Sequence, residues 1–246
     1  MKADLIIPLA VKDYNKIGYV INSVREFVTD VKDIHIITPN VIRMAGHNVF
    51  QHLDSDVLPY DRSEIEYRPS WVFQQMLKIF QNVTKNDWFL VMDADIFVNK
   101  KLPLFENGTP ILYLGREQYH HPYFEFNKIM MGIEKPYQHS FISEFTLYNK
   151  KVVRDMLDFM NLTLDEFWDK SVKTINDGCY PGDAELYGSY VYAQQPNLYK
   201  IKQLTTHLGG KYKSYVYSTG EIEAAIKDVR KHSPNVDIMS LHSWES

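Results

Sequence analysis

Within the first hundred residues, short apolar runs alternate with stretches whose apolar residues recur at helical spacing, and that alternation is the strongest constraint on the fold. Asp4–Leu9 and Asp33–Thr38 read as buried strands, and Trp88–Met92 is apolar at every position. Between them, Asn15–Phe27 carries Ile17, Val20, Ile21, Val24 and Phe27 on one helical face. Pro69 can open a second helix, because a first-turn proline gives up an N–H that has no helical partner anyway. Its apolar stripe is Val72, Phe73, Met76, Leu77 and Phe80. Strand–helix alternation of this kind predicts an α/β protein with a mostly parallel sheet.

The second half follows a looser pattern. Thr109–Leu114, Ser140–Tyr148 and Val236–Leu241 read as strands. Lys150–Met160, Leu164–Ile175 (capped by Thr163), Gly182–Ala193 and Glu221–Lys231 read as helices. No linker divides the chain, so residues 1–246 are expected to form one domain with a C-terminal elaboration.

Composition narrows the function classes. A single cysteine excludes a disulfide framework and a cysteine-rich zinc site. A net charge of −4 gives no basic surplus for a phosphate backbone, so nucleic acid is not an expected partner. A membrane span needs roughly 18–20 consecutive apolar residues, and the apolar runs are far shorter. The early acid Asp4 and the short run Leu5–Val11 do not form a signal peptide. The expectation is a cytoplasmic protein.

The most informative segment is Trp88-Phe89-Leu90-Val91-Met92-Asp93-Ala94-Asp95-Ile96-Phe97-Val98. A buried strand runs into two aspartates, and alternation along a strand points Asp93 and Asp95 to the same side. In an open α/β sheet the ligand crevice lies at the carboxyl ends of the strands. Two carboxylates there repel each other unless a cation sits between them. Mn²⁺ or Mg²⁺, completed by substrate phosphates, fits that need. The string alone carries little information: Asp54-Ser55-Asp56 has the same form, lacks an apolar strand in front and reads as a solvated loop.

These residues resemble the GT-A-fold glycosyltransferases. Arg68–Ile79 with its Gln74-Gln75-Met76-Leu77-Lys78 segment, followed by Val91-Met92-Asp93-Ala94-Asp95, is similar to an uncharacterised bacterial and viral branch of that fold. It is more distantly similar to the glycogenin and galactosyltransferase branch. Ile6-Ile7-Pro8-Leu9-Ala10-Val11-Lys12-Asp13 resembles that branch's nucleotide-holding first strand and loop. The resemblance covers residues 3–100 best.

It implies a metal-dependent transfer of a sugar from a UDP- or GDP-sugar to a glycan or other hydroxyl acceptor. Residues 1–100 would form the nucleotide-sugar half and 101–246 the acceptor half. Asp93 and Asp95 would hold Mn²⁺ or Mg²⁺, with Asp93 and Ala94 also against the donor. Lys78 would neutralise phosphate charge, Gln75 would share its helix face, and Leu9, Ala10 and Asp13 would line the base pocket. A late histidine often completes such a site. His242, after the apolar run Val236–Leu241, is preferred to His207, which echoes a His-x-x-Gly-x-x-Lys motif. His120-His121 lies in a polar aromatic loop and is set aside.

Gly182-Asp183-Ala184-Glu185 resembles the late acidic segment that faces the acceptor. An inverting transferase needs a base for the hydroxyl proton, and Glu185 comes first, Asp183 second, Glu144 third. Of the chain's 17 tyrosines, those at Tyr119–Tyr137 suggest an acceptor or lid region. Two other readings stay open: a non-catalytic carbohydrate- or nucleotide-binding protein, and a phosphotransferase using Asp93. Against the second, such enzymes usually carry the pair on the first strand with Thr or Val two places on, where this chain has a later strand and Phe97; a sugar nucleotidyltransferase is disfavoured because Ala10–Tyr14 has no glycine.

Overall fold

The three apolar runs of the first half become neighbouring strands of one sheet. The computed structural model describes residues 1–44, 46–115, 120–208 and 218–241. Its elements begin β1 (Ala3–Pro8), α1 (Ile17–Phe27), β2 (Val31–Thr38), β3 (Val49–Leu53), α2 (Asp54–Val57), α3 (Pro69–Phe80), β4 (Trp88–Met92) and β5 (Ile96–Val98). They continue with β6 (Phe105–Glu106), β7 (Thr109–Leu114), α4 (His121–Met131), β8 (Phe145–Asn149), α5 (Lys150–Met160), α6 (Leu164–Asn176) and α7 (Asp183–Gln194). β9 (Lys200–Gln203), β10 (Thr206–Leu208), α8 (Thr219–His232) and β11 (Ile238–Ser240) close the chain.

The central sheet has five strands in the order β3-β2-β1-β4-β8. β3, β2, β1 and β4 are parallel and β8 is antiparallel to β4, with Met92 opposite Phe145. A parallel sheet is covered on both faces, so its strands are continuous hydrophobic runs. All six residues of β1 are buried accordingly. The fold is therefore mixed α/β, with a mostly parallel sheet flanked by helices, as the alternation predicts. Two three-stranded sheets, β10-β11-β5 and β6-β7-β9, extend it.

This order contains a topological switch. From β1 the chain runs outward through β2 and β3, then returns to lay β4 on β1's other side. The crevice outside the carboxyl ends of β1 and β4 is where open α/β sheets bind ligands. The segments that leave those ends are Leu9–Asp13 and Asp93–Asp95.

Several local expectations need correction. β4 stops at Met92, and Asp93, Ala94 and Asp95 form the turn into β5, so strand alternation does not orient the two aspartates. Asp54-Ser55-Asp56 starts the short helix α2 rather than a loop, and Asp54 pairs with Arg62 at 2.7 Å. His121 opens α4, where a loop was expected. The strand expected at Ser140–Tyr148 begins only at Phe145, because Glu144 is left-handed (φ 58°). The 140–142 segment is instead a loop seated against Gly115 and Gly188. An added Cβ at Gly115 would lie 1.9 Å from the Ile142 carbonyl oxygen, and one at Gly188 would lie 2.2 Å from Phe141 Cγ. Thr163 caps α6 as expected, in a reciprocal pair with Glu166.

Candidate active site at the ends of β1 and β4

From Val72 onward α3 buries every residue except Gln74, including two polar residues, Gln75 and Lys78. They lie three positions apart and so share a helix face. Both reach the start of α7. Gln75 Oε1 accepts the backbone N–H of Asp183 at 3.2 Å. The Lys78 ammonium lies 2.6 Å from Asp93 Oδ1 and 3.8 Å from Asp183 Oδ1. The Tyr148 hydroxyl, from β8, donates to Asp183 Oδ2 at 2.8 Å. Four segments of the chain thus converge on one buried cation and two carboxylates.

Burial governs the electrostatics here. Lys78 is 5% exposed. Burial alone would lower its pKa, but Asp183 and Asp93 outweigh burial and hold the ammonium above the ordinary lysine value. Burial pushes the Asp183 carboxyl up, and Lys78 and Tyr148 pull against that rise. Asp93 is the more open of the pair, with a side chain 28% exposed. The lysine expected to face phosphate is thus largely engaged by two carboxylates of its own chain.

Asp183 and Glu185 were expected to act in the same region, and the helix separates them. Residues two apart on a helix point about 200° apart. Asp183 faces Lys78, whereas Glu185 faces the loop before β8. Glu185 is fully buried, and its Oε2 accepts the Phe141 N–H at 2.9 Å and the Ser140 hydroxyl at 3.1 Å. Burial raises its pKa, and the nearest cation, Lys135, is 3.9 Å away. Glu185 therefore anchors the 140–141 loop.

On the β1 side, Leu9 packs in the core and its N–H donates to Ile37 O. Ala10 is half-buried. Asp13 is buried and pairs with Lys16 at 2.8 Å. Lys16, absent from the sequence expectations, is fully buried and also donates to the Leu241 carbonyl at 2.8 Å. The Leu241 N–H in turn donates to the Asp95 carbonyl at 2.9 Å. The end of β11 is thereby tied to both segments of the crevice.

The donor set can be tested against a divalent cation. Asp93 and Asp95 flank Ala94 in the turn beside the switch point, and Mg²⁺ uses one or two carboxylates plus substrate phosphates. These two acids would fit such an ion if a bound ligand supplied the phosphates. Among the described residues, no group of three or more His, Cys, Asp or Glu side chains gathers for a metal. His242, the preferred third ligand, lies outside the described residues. His207 is half-exposed on β10, in register with Met239 of β11. Ala94 is buried between the two aspartates.

Among solved structures, the chain is similar to the galactosyltransferase LgtC in complex with donor and acceptor sugar analogues. The two are 13% identical over 96% of this chain and 86% of that one, with a TM-score of 0.48. It is also similar to mouse xyloside xylosyltransferase 1, in its apo form, at 12% identity over 98% of each chain and a TM-score of 0.48. No curated protein matches the chain. A family profile described as "Family of unknown function (DUF6492)" matches residues 1–187, most of the 246. The chain with the Lys78–Asp93–Asp183 cluster therefore belongs to the DUF6492 family.

Proposed function

We propose that this protein is a GT-A-type glycosyltransferase that moves a sugar from a nucleotide-diphosphate sugar to an acceptor hydroxyl, with Mn²⁺ or Mg²⁺ held at Asp93 and Asp95. One observation carries the reading: a buried lysine bridges Asp93 and Asp183 at the crevice where β1 and β4 end. A bound divalent ion would supply Lewis-acid stabilisation of charge on the leaving nucleoside diphosphate.

The chain's own residues divide the remaining work. Lys78 fixes the direction of the Asp93 carboxylate and offsets the repulsion between it and Asp183. The segment Ala10–Asp13, leaving β1, borders the crevice on the side toward β2, and in this reading it takes the nucleoside. Asp183 borders it on the side toward β8, through Tyr148. Of the three acids considered for the acceptor hydroxyl, Glu185, Asp183 and Glu144, Asp183 is the one within 4 Å of the Lys78 ammonium, so we assign the proton-accepting role to it. Its raised pKa brings it closer to the working range of a general base. Glu185 serves as a positioning residue for the 140–141 loop.

The test is thermal unfolding with UDP-, GDP- and CMP-sugars, with and without Mn²⁺. A ligand that binds only the folded state stabilises it by about 2.7 kcal/mol at a hundredfold excess over Kd. The proposal expects a Mn²⁺-dependent rise with one nucleotide class that Asp95→Ala abolishes while the variant still unfolds cooperatively. A well-folded protein that shifts with none of these donors contradicts it.

A further inference from the structure

Next to the Lys78–Asp183 cluster lies a group of aromatic rings that the proposed chemistry does not use. They come from three segments: Tyr67 and Trp71 at the start of α3, His120 and Tyr123 at the start of α4, and Tyr180 before α7. Tyr67 stacks on Tyr180 with centroids 4.7 Å apart and planes within 18°. Trp71 meets Tyr180 edge-on at 5.5 Å and lies near-parallel to Tyr123 at 6.2 Å. His120 Nε2 is 2.8 Å from the Tyr180 hydroxyl and its ring is 4.4 Å from that of Tyr123. The guanidinium of Arg68, a residue held in the left-handed region (φ 45°), sits 4.8 Å over Trp71.

Three features set this cluster apart from ordinary core packing. Tyr67 is 40% exposed, and Trp71, His120 and Tyr123 are only half-buried. The rings are bordered by polar groups: tyrosine hydroxyls, an imidazole and the Arg68 guanidinium. The cluster also adjoins the site, since an added Cβ at Gly182, the residue before Asp183, would lie 3.3 Å from the Tyr123 ring. The electron-rich faces of aromatic rings attract the positive edges of C–H bonds. A sugar presents C–H faces ringed by hydroxyls, which matches a part-exposed aromatic stack, with Tyr67 40% exposed, bordered by hydrogen-bonding groups. The cluster gathers on the Asp183 side of the site, across it from the segment after β1 where the nucleoside is placed.

We propose that Tyr67, Trp71 and Tyr123, closed at one edge by His120 and Tyr180, form a carbohydrate-binding platform whose occupant is the acceptor glycan. The term acceptor rests on the transferase reading; the carbohydrate platform itself does not. The experiment is saturation-transfer NMR on the full chain without nucleotide, using lactose, maltose, cellobiose and N,N′-diacetylchitobiose as probes. The expected result is transfer to the ring C–H protons of at least one disaccharide. Affinity for it should be about three- to tenfold weaker in Tyr67→Ala and in Trp71→Leu, the range set by the worth of one aromatic pair. Lys151→Ala, an exposed residue on α5 paired with Asp155, should leave the signal unchanged. Far-UV circular dichroism checks each variant's fold, and if one variant unfolds the other decides.

No transfer from any of the four sugars, or transfer undiminished in the folded ring variants, overturns the platform. The two proposals fail separately. A Mn²⁺-dependent nucleotide-sugar shift without a disaccharide signal removes the platform and keeps the transferase. A disaccharide signal that depends on Tyr67, without any nucleotide-sugar shift, does the reverse.

Discussion

Replacing Lys78 by methionine removes an ammonium that faces two carboxylates while keeping the length and apolar stem of the side chain. Breaking a buried ion pair by deleting one partner typically costs about 3–5 kcal/mol, because the other charge is left buried. Asp93 is partly open to solvent, so water can take over some of its charge. Asp183 has a side chain only 9% exposed and retains the Tyr148 hydroxyl at 2.8 Å. That places the expected loss at the lower end, about 3 kcal/mol near pH 7. The pH dependence adds a sign. Burial already raises the Asp183 carboxyl, and loss of Lys78 raises it further. A carboxyl whose folded pKa lies above its unfolded value supports the fold at low pH and loses that support as pH rises through the folded value. The variant's deficit should therefore narrow on acidification. Urea unfolding of both proteins at about pH 7 and about pH 5 measures it through the midpoint at constant m-value. A deficit under about 1 kcal/mol at both values, the worth of an exposed pair, or one that widens in acid, refutes the reasoning.

Three further outcomes follow from the same contacts. Gly188→Ala places a Cβ 2.2 Å from Phe141 Cγ and should cost at least the usual overpacking penalty of about 1–3 kcal/mol, read as a lowered melting temperature. Tyr148→Phe leaves Asp183 Oδ2 without its hydroxyl donor and should cost about 1–3 kcal/mol in urea unfolding. His35 contacts His52 at 2.9 Å and lies 3.8 Å from Asp4. Burial lowers the pKa of both histidines, with Asp4 and Asp33 opposing the drop at His35, and His52 and Lys150 adding to it. A depressed folded pKa gives stability that is present above the unfolded value of about 6.5 and lost as pH falls below it. His52→Gln should flatten the fall in unfolding free energy below about pH 6.5; a slope identical to that of the parent would contradict this.

The parts of the fold legible in the sequence are those where burial writes a period into the chain. β4 throughout and β1 from Leu5 onward are apolar because the parallel sheet is covered on both faces, and α3 carries its stripe because that side meets the sheet. β3 escapes detection as a half-exposed edge strand with Phe50 47% exposed, so it lacks a continuous apolar run. α4 opens with His121 and Pro122 after His120 at its N-cap, and it places Asn127 in the interior, which hides its helical period. At the site, the strand-to-aspartate junction locates the crevice, but strand alternation ends with β4 at Met92 and does not reach the aspartates. The separation of Asp183 from Glu185 was within reach, since helical period alone sends the two acids to different sides. Tyr148 and Lys16 were not, because each joins the site through contacts from distant parts of the chain: Tyr148 reaches Asp183, and Lys16 reaches Leu241.

The central claim, that sugar transfer is organised around Lys78, Asp93 and Asp183, is tested most directly by nucleoside diphosphate release. The donor that stabilises the protein is incubated with it, with Mn²⁺ or with a chelator, and with a carbohydrate acceptor or water. The account predicts release that stops with the chelator and falls at least about a hundredfold in Asp93→Asn, the scale for losing a positioned electrostatic group. Far-UV circular dichroism should show the variant still folded, with a melting temperature lowered by loss of the Lys78–Asp93 pair. Release undiminished in Asp93→Asn, or no release from any UDP- or GDP-sugar by the folded protein, would contradict it.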